Sequence, residues 1–192
     1  MIAPLNGQFK QLERSRNELL QRLATYTLAQ LQFRPSPVAW SIIEVVHHLV
    51  LAEYYATAYI EKKLSNTTAV QTLSTGARFR SWLLTLAMRS PFRFKAPSTR
   101  VLPDASVTPT QVLAQWEELR QKWAALLETA KPEHLHLALY RHPVAGLLTL
   151  SQAITFVQEH FNHHLQQFQR IIAAPDFPAP IATSSRDHYA AQ

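Results

Sequence analysis

Three capping boxes, each at the start of a long run of apolar residues with helical spacing, constrain the fold of this chain more than any other feature. In such a box a Ser or Thr stands three residues before a Glu or Gln, and each side chain bonds the other residue's backbone N–H at the start of a helix. The boxes pair Ser41 with Glu44, Thr108 with Gln111 and Thr149 with Gln152. They predict helices over about residues 41–64, 108–130 and 149–173.

A fourth long helix is predicted near the N-terminus, over residues 5–31, where Phe9, Leu12, Leu19 and Leu23 recur at helical spacing. With no convincing strand, four long helices indicate an all-α four-helix bundle. The connection over 65–107 is too long for a tight turn, so it can cross the length of the bundle and leave the helices that it joins parallel. Within it, RSWLLTLAM predicts a short helix across the bundle. We expect one bundle domain over 1–175 and a Pro-rich tail over 176–192, poorly ordered or draped over the surface.

The composition favours a helical protein that works inside the cell. Apolar residues make up 47% of the 192 residues, enough for a core, and only 3 are glycine, which argues against a sheet-rich fold. The absence of cysteine excludes disulfides, thiolate metal sites and a cysteine nucleophile. Neither a signal peptide nor ~18 uninterrupted apolar residues are found, so we expect a cytoplasmic protein without a membrane span.

The positive charge is unevenly distributed. The formal net charge is +6, and between Lys62 and Pro103 there are eight Lys or Arg residues and no acidic residue. This basic segment, residues 62–103, is interpreted either as a solvated basic face or as a patch for nucleic acid or anionic lipid. Nucleic acid is not the partner that we expect.

Three of the nine histidines fall within EHFNHHL, residues 159–165. His160 and His164 are four residues apart and therefore share a helix face, which lies inside the apolar arc of the last predicted helix. Two buried imidazoles need partners for their nitrogens, and either a metal or a hydrogen-bond network supplies them. The HExxH motif of zinc proteases is absent, because Phe161 stands where its glutamate would be.

The second predicted helix offers a third ligand. His48 lies at the edge of its apolar arc and can face the bundle, whereas His47 points nearly opposite and is expected in solvent. His48, His160 and His164 would form a three-histidine set, and three protein ligands with open positions are typical of a catalytic metal site. Imidazoles suit zinc, nickel, iron or copper. Glu53, inside the same arc, either orients a metal-bound histidine or pairs with an arginine of the first helix.

Two segments, WSIIEVVHHLVLAE and HPVAGLLTLSQAITFVQEHFNHHLQQFQRI, resemble the DinB-like superfamily of bacterial metal-binding four-helix bundles. The resemblance spans roughly residues 5–172. The residues that carry it are Trp40, Ser41, His48, Leu49, His142, Pro143, Gly146, His160, His164 and Gln167.

The resemblance implies an up-down-down-up bundle, often a homodimer, with a divalent metal held by His48, His160 and His164. We expect zinc or nickel, with iron or manganese as alternatives. Relatives include thiol S-transferases that use bacillithiol or glutathione-like cofactors, mycothiol-dependent maleylpyruvate isomerases and metal-dependent hydrolases. A low-molecular-weight thiol cofactor and a small-molecule substrate are therefore expectations for this chain.

These observations leave two functional hypotheses. In the first, the chain is a metal-dependent transferase or hydrolase in which the metal activates a water or a thiol. Tyr55 and Tyr59 would then orient substrate or donate a proton, unless they only pack, and His142 would line the mouth of the site, unless it is a loop histidine without a role. In the second hypothesis the bundle binds a metal or ligand without turnover, and its basic segment meets an anionic partner.

Overall fold

The computed structural model of the chain describes residues 1–66, 70–90 and 98–179. Six α-helices and one β-hairpin lie within these ranges. They are α1 (Ala3–Leu23), α2 (Leu28–Gln32), α3 (Ile42–Leu64), α4 (Thr75–Arg89), α5 (Pro109–Glu128) and α6 (Leu150–Ile172), with β1 (Tyr140–His142) and β2 (Gly146–Leu148). Two short 3-10 helices, Thr99–Val101 and Pro132–His136, lie in the connections. None of the described helices combines the length and apolar character needed to cross a bilayer.

Each of the three predicted capping boxes forms and begins a long helix. At the start of α3, the Ser41 hydroxyl accepts from the Glu44 N–H at 3.4 Å, while a Glu44 carboxylate oxygen accepts from the Ser41 N–H at 2.8 Å. The same reciprocal bonds begin α5 and α6. Because the box fixes the first turn, these three helix starts match the sequence prediction.

The predicted length of the first helix is wrong. It ends at Leu23, and Thr27 then begins the separate short helix α2. Thr27 has an extended backbone and forms a fourth capping box with Gln30, so the chain turns before it continues. The competing helix start at Thr27 is the physical reason for the break, and the apolar periodicity alone does not show it.

The directions of the long helices give the up-down-down-up bundle. The Gln8 amide of α1 donates to the Thr155 hydroxyl of α6, and Ser15 further along α1 bonds Gln158 further along α6, so these two helices are parallel. In contrast, α5 is antiparallel to α1, because the N-terminal amine of Met1 pairs with Glu128 near the end of α5.

Further contacts support the antiparallel direction of α1 and α5 and give the directions of α3 and α6. Arg16, later in α1, pairs with Glu117 near the middle of α5 at 2.8 Å, which agrees with the antiparallel direction. The ring of His48, near the start of α3, lies 4.8 Å from that of His164 in the second half of α6, whereas Tyr59 near the end of α3 packs on Tyr140, which precedes α6. The helices α3 and α6 are therefore antiparallel. The helices α3 and α5 therefore run in the same direction, joined by the long crossover between them.

The crossover covers one side of the bundle. The short helix predicted within it exists as α4, but it packs along α6 rather than across the bundle, with an Arg89–Glu159 ion pair of 2.5 Å and a contact between the Met88 carbonyl oxygen and His163 Nδ1 at 3.1 Å. Beyond it, the chain passes over the first half of α3, where the Val101 carbonyl meets His48. The described parts of the crossover thus cover α3 and α6, the two helices that carry the clustered histidines.

The hairpin is an element that the sequence analysis did not expect. Strands β1 and β2 pair antiparallel, from Tyr140 opposite Leu148 to His142 opposite Gly146. Gly146 has a φ of 76°, a left-handed conformation that favours glycine. Strands of three residues are too short to show a period of two in the sequence, which explains the omission.

The C-terminal tail begins as a packed segment. Phe177 packs edge-on against the rings of Tyr26 and Phe33, with centroid distances of 6.1 and 5.5 Å, and Gln30 donates to the Pro178 carbonyl at 2.9 Å. The remainder of the predicted tail, 180–192, lies outside the described residues. The division of the chain at residue 175 stays a prediction.

Candidate metal centre

The structure brings together the three histidines that the sequence singles out. His48 projects from the second turn of α3, and His160 and His164 project from one face of α6. The Nε2 atom of His160 lies 3.2 Å from Nε2 of His48 and 3.1 Å from Nε2 of His164. The candidate ligand atoms of the three residues all lie within 4.8 Å of one another. The group consists of three histidines and contains no carboxylate.

Two groups outside the cluster fix which ring nitrogen faces it. His48 Nδ1 lies 2.6 Å from the Val101 carbonyl oxygen, and His164 Nδ1 lies 2.9 Å from Oε1 of Gln167. An oxygen of either kind only accepts, so each Nδ1 carries the proton and donates it. The Nε2 lone pairs of His48 and His164 are therefore directed at the centre of the cluster, as metal ligation requires.

Aromatic rings hold the imidazoles in place. The Trp40 ring packs on His48 with centroids 5.0 Å apart, and Phe156 stacks on His160 at 5.4 Å with an interplanar angle of 17°. Because these neighbours are bulky and rigid, they restrict rotation of the two imidazoles about their side-chain bonds. The site is in this respect preorganised by the bundle core.

Burial keeps the three imidazoles neutral. The exposed fraction is 4% for His48 and 8% for His164. Burial is the largest cause that lowers the pKa of His164, to about 3, and the neighbouring His48 acts in the same direction. Burial also lowers the pKa of His48, and burial with the neighbouring His164 and His48 lowers that of His160 well below its usual value. Neutral imidazole is the form that binds a metal, so the cluster is in its ligating state at neutral pH.

The donor set fits a divalent metal. Zinc–imidazole distances of about 2.0–2.1 Å place tetrahedral ligand atoms about 3.3 Å apart. The two short Nε2–Nε2 distances of 3.1 and 3.2 Å are close to that value. A proton on His160 Nε2 can satisfy its neighbours only in part, whereas a cation can accept all three lone pairs. Three neutral ligands also leave the charge of the ion uncompensated and further positions open.

Glu53 has a different partner from the one proposed beside the metal. Its side chain is 2% exposed, and its Oε1 accepts from Arg120 Nη2 at 2.8 Å. Burial raises the pKa of Glu53, and the Arg120 charge opposes that shift. The ion-pair alternative is therefore correct in kind, but the arginine belongs to α5 rather than to the first helix. The oxygens that orient the cluster come from Val101 and Gln167.

The prediction for the exposure of His47 is wrong. It was expected in solvent, yet it is 5% exposed, and its Nδ1 accepts from the Asp104 backbone N–H at 3.2 Å. The crossover covers this face of α3, which would face solvent if the bundle consisted of four helices alone. A periodicity argument on one helix does not account for such a covering segment.

The two candidate tyrosines lie in different surroundings. Tyr55 is 39% exposed and packs edge-on against Tyr54, with ring centroids 5.4 Å apart. Tyr59 is partly buried and packs against Tyr140 of β1 at 6.0 Å. The structure shows ring-packing contacts for both tyrosines, and a role towards substrate stays a prediction.

His142 closes the hairpin turn. Its Nδ1 accepts from the backbone N–H groups of Val144 and Ala145, at 3.2 and 3.1 Å. Its ring contacts Phe156 at a centroid distance of 4.4 Å, and Phe156 in turn stacks on His160. Burial lowers the pKa of His142 to about 4. It is thus a buried residue at the end of β1 beside Phe156, and its predicted place at the mouth of the site stays a prediction.

Sequence reasoning missed one part of the site, the Val101 carbonyl. A backbone oxygen in an irregular crossover has no residue-type signal, so only the fold reveals it. Gln167 was recognised as part of a motif, and the structure gives the reason for its position, since it accepts from a histidine three residues earlier.

The fold and the cluster define a class of protein: up-down-down-up helical bundles with a three-histidine cluster suited to a divalent metal. Comparison with known sequences is in agreement with this class. The chain belongs to the DinB superfamily, whose sequence model matches residues 11–168.

Relatives in two Bacillus species carry names of the same kind. The chain is 29% identical over 154 residues to "Putative metal-dependent hydrolase YfiT" of Bacillus subtilis (strain 168), covering 80% of this chain and 76% of the relative. It is 25% identical over 155 residues to a protein of the same description from Bacillus cereus (strain 03BB102), covering 81% and 78%.

A solved structure shares the fold. It is YfiT from Bacillus subtilis, described as a probable metal-dependent hydrolase with an unusual four-helix bundle topology. The TM-score is 0.56 at 21% sequence identity, over 87% of this chain and 85% of that one. At this identity the likeness shows the bundle topology.

Proposed function

We propose that this chain is a metal-dependent enzyme that binds a divalent metal through Nε2 of His48, His160 and His164 and acts as a hydrolase on a small molecule. The observation that carries the proposal is the convergence of three neutral imidazoles, two of them with the Nδ1 proton fixed by an acceptor. The relatives carry the name "Putative metal-dependent hydrolase", which supports the reaction class.

The three-nitrogen donor set decides what chemistry the site can perform. A divalent ion bound there would act as a Lewis acid and lower the pKa of a water or thiol, so that a nucleophile forms at neutral pH. Imidazole ligands do not choose among zinc, nickel, iron and copper. Zinc or nickel is the ion that we propose, with iron or manganese as alternatives. With a water the reaction is hydrolysis, and with a low-molecular-weight thiol it is S-transfer.

The residues around the ligands would bind and protect rather than react. Val101 and Gln167 hold the tautomers of His48 and His164, while Trp40 and Phe156 shield the imidazoles on two sides. We assign no proton-transfer role to Glu53, because its carboxylate is committed to Arg120. Of the four catalytic candidates, His142 has the most direct connection to the cluster, because the ring of Phe156 contacts both His142 and His160.

Oligomeric state and location are part of the same proposal. A homodimer and a cytoplasmic location remain predictions from the resemblance and the composition. Neither affects the composition of the cluster, since all three histidines come from one chain.

The test begins with metal content, measured by mass spectrometry on untagged protein. We expect about one metal ion per chain. His164→Ala should lose the metal, whereas His136→Ala, which removes an exposed histidine outside the cluster, should keep it. Absence of metal from the wild type after reloading with zinc or nickel would contradict the proposal.

A second step separates the two reaction types. Metal-loaded and metal-free protein are compared on a panel of small esters, amides and lactams in water, and on electrophiles with a low-molecular-weight thiol. Turnover of the first panel without thiol supports hydrolysis. Turnover only with thiol assigns S-transfer to the same centre and overturns the hydrolase assignment.

A further inference from the structure

The outer face of α4 is an apolar stripe without a partner in the part of the chain that the structure describes. Spacings of three and four residues place its members on one side of the helix. They are Phe79, Trp82, Leu83 and Leu86, with exposed fractions of 59%, 59%, 42% and 54%. Phe79 and Trp82 stack on each other with ring centroids 5.9 Å apart. Single exposed apolar residues are common, but a contiguous stripe of four marks an interaction surface.

The stripe is not needed to hold α4 on the bundle. The opposite face of the helix, with Ala77, Ser81 and Leu84, is the buried one. Polar contacts fix its two halves: Arg80 Nε donates to the Ala145 carbonyl at 3.3 Å, and Arg89 pairs with Glu159. The helix is therefore apolar on two opposite sides, and folding uses only one of them.

Positive charge surrounds the stripe. Arg78 flanks it on one side of the helix and Arg80 on the other, both exposed, whereas the charge of Arg89 is already paired with Glu159. They belong to the basic segment 62–103, which has eight Lys or Arg residues and no acidic one. An anionic surface is complementary to this rim, whereas a second copy of α4 would bring like charges together.

We propose that α4 docks on the surface of a bilayer that contains anionic phospholipid. A helix that lies in the interface buries an apolar face at the boundary of headgroups and acyl chains, while flanking arginines meet the lipid phosphates. Tryptophan is enriched at that depth, which suits Trp82. Nucleic acid fits less well, because Leu83 and Leu86 have no role against a phosphodiester backbone.

Docking of α4 would also orient the histidine cluster. The helix packs on α6, which carries His160 and His164, so the cluster would lie about one helix layer, 8–10 Å, from the docked helix.

Vesicle flotation with the untagged full-length chain tests the proposal. Two vesicle compositions are used, phosphatidylcholine alone and phosphatidylcholine with about one third phosphatidylglycerol. We expect binding to the anionic vesicles only, with weakening as salt rises. The double variant Phe79→Ser/Trp82→Ser should lower the partition coefficient at least about tenfold, since each large apolar side chain contributes to insertion.

Matched variants separate this effect from others. Leu28→Ser/Val38→Ser removes two exposed apolar side chains elsewhere, 58% and 93% exposed, and should bind as the wild type does. Arg78→Gln should weaken binding, and His164→Ala should leave it unchanged, because docking does not need the cluster. Unaltered circular dichroism and melting temperature would show that the α4 variant is folded.

Three outcomes would overturn the proposal. The first is no binding to anionic vesicles at low salt. The second is equal binding by wild type and Phe79→Ser/Trp82→Ser, which would leave charge alone as the cause. The third is a wild-type dimer that the α4 variant converts to monomer in sedimentation velocity, without vesicle binding, which would assign the stripe to self-association.

Discussion

The residues behind the three histidines determine how well the cluster can bind. Gln167 accepts the Nδ1 proton of His164, and this bond leaves His164 Nε2 as a lone pair towards His160. Without it the imidazole is free to take the other tautomer or to rotate. Groups of this kind are typically worth about 10–100-fold in metal affinity.

Gln167→Ala should therefore lower metal affinity by about 10–100-fold while the protein stays folded. Gln167→Glu should retain most of the affinity, because a carboxylate oxygen can accept the same proton. Competitive titration with a chromophoric chelator measures the change. Gln166→Ala, at an exposed neighbouring position, is the control, and an equal loss in this control would contradict the tautomer argument.

Glu53 and Arg120 form a fully buried ion pair, each 2% exposed, and Arg120 also reaches Glu13 at 3.0 Å. Removing one member of such a pair leaves an uncompensated charge in the core, which typically lowers stability by about 3–5 kcal/mol. Removing both members takes away both charges of this pair and leaves Glu13 paired with Arg16. The second change should therefore restore much of what the first one loses.

Glu53→Met should lower the free energy of unfolding by about 3 kcal/mol or slightly less, since Glu13 still pairs with Arg120. The double variant Glu53→Met/Arg120→Met should be clearly more stable than the single one. Urea unfolding measures both values, with Glu118→Gln as an exposed control that shifts stability by no more than about 0.5 kcal/mol. A double variant no more stable than Glu53→Met alone would contradict the argument.

At the scale of elements, local signals predicted what is locally determined. The helices that start at capping boxes were predicted within a residue or two, because the box bonds are made between neighbours in sequence. The break between α1 and α2 has the same kind of signal at Thr27 and Gln30, but it was overlooked beneath a continuous apolar period. The hairpin was missed because its strands are three residues long.

The candidate site divides in the same way. His160 and His164 could be paired from a spacing of four on one helix, and His48 from its place on an apolar arc. The burial of His47 and the contribution of Val101 could not be predicted, since both depend on where an irregular crossover passes. Sequence reasoning thus identified the three histidines that the structure brings together, but not the backbone oxygen that orients His48.

Two glycines offer a matched test of backbone conformation, one within a helix and one in a turn. Gly7 lies within α1, and a Cβ there would meet nothing within 4 Å, whereas Gly146 has a φ of 76° in the hairpin turn. Gly7→Ala should stabilise the protein by about 0.5–1 kcal/mol through a lower entropy of the unfolded chain. Gly146→Ala should destabilise it by about 1–2 kcal/mol, because a side chain strains the left-handed conformation.

Thermal and urea unfolding of the two variants measure the difference. The same substitution should thus act in opposite directions at the two positions. If both alanines changed stability equally, neither the helical interior at Gly7 nor the left-handed turn at Gly146 would be supported.

At the scale of the whole molecule, the histidine cluster joins distant parts of the chain. His48 and His160 are separated by 112 positions, and the crossover carbonyl of Val101 is 53 positions from His48. A metal bound to all three histidines would hold α3 and α6 together, with the crossover fixed against them. An unfolded chain does not present this set of ligands, so binding favours the folded state.

Metal removal should therefore lower the melting temperature of the wild type. A ligand present at 100 times its dissociation constant stabilises the folded state by about 2.7 kcal/mol. For a domain of this size each kcal/mol corresponds to about 2–4 °C, so the expected decrease on chelation is roughly 5–10 °C. Differential scanning fluorimetry with and without chelator, followed by zinc or nickel, measures the decrease and its recovery.

His136→Ala should respond as the wild type does, whereas His164→Ala should melt at the same temperature with or without metal. A wild type that is indifferent to both chelator and metal would mean that the cluster is a hydrogen-bonded network, since an ion held by α3 and α6 has to stabilise the fold that presents its ligands.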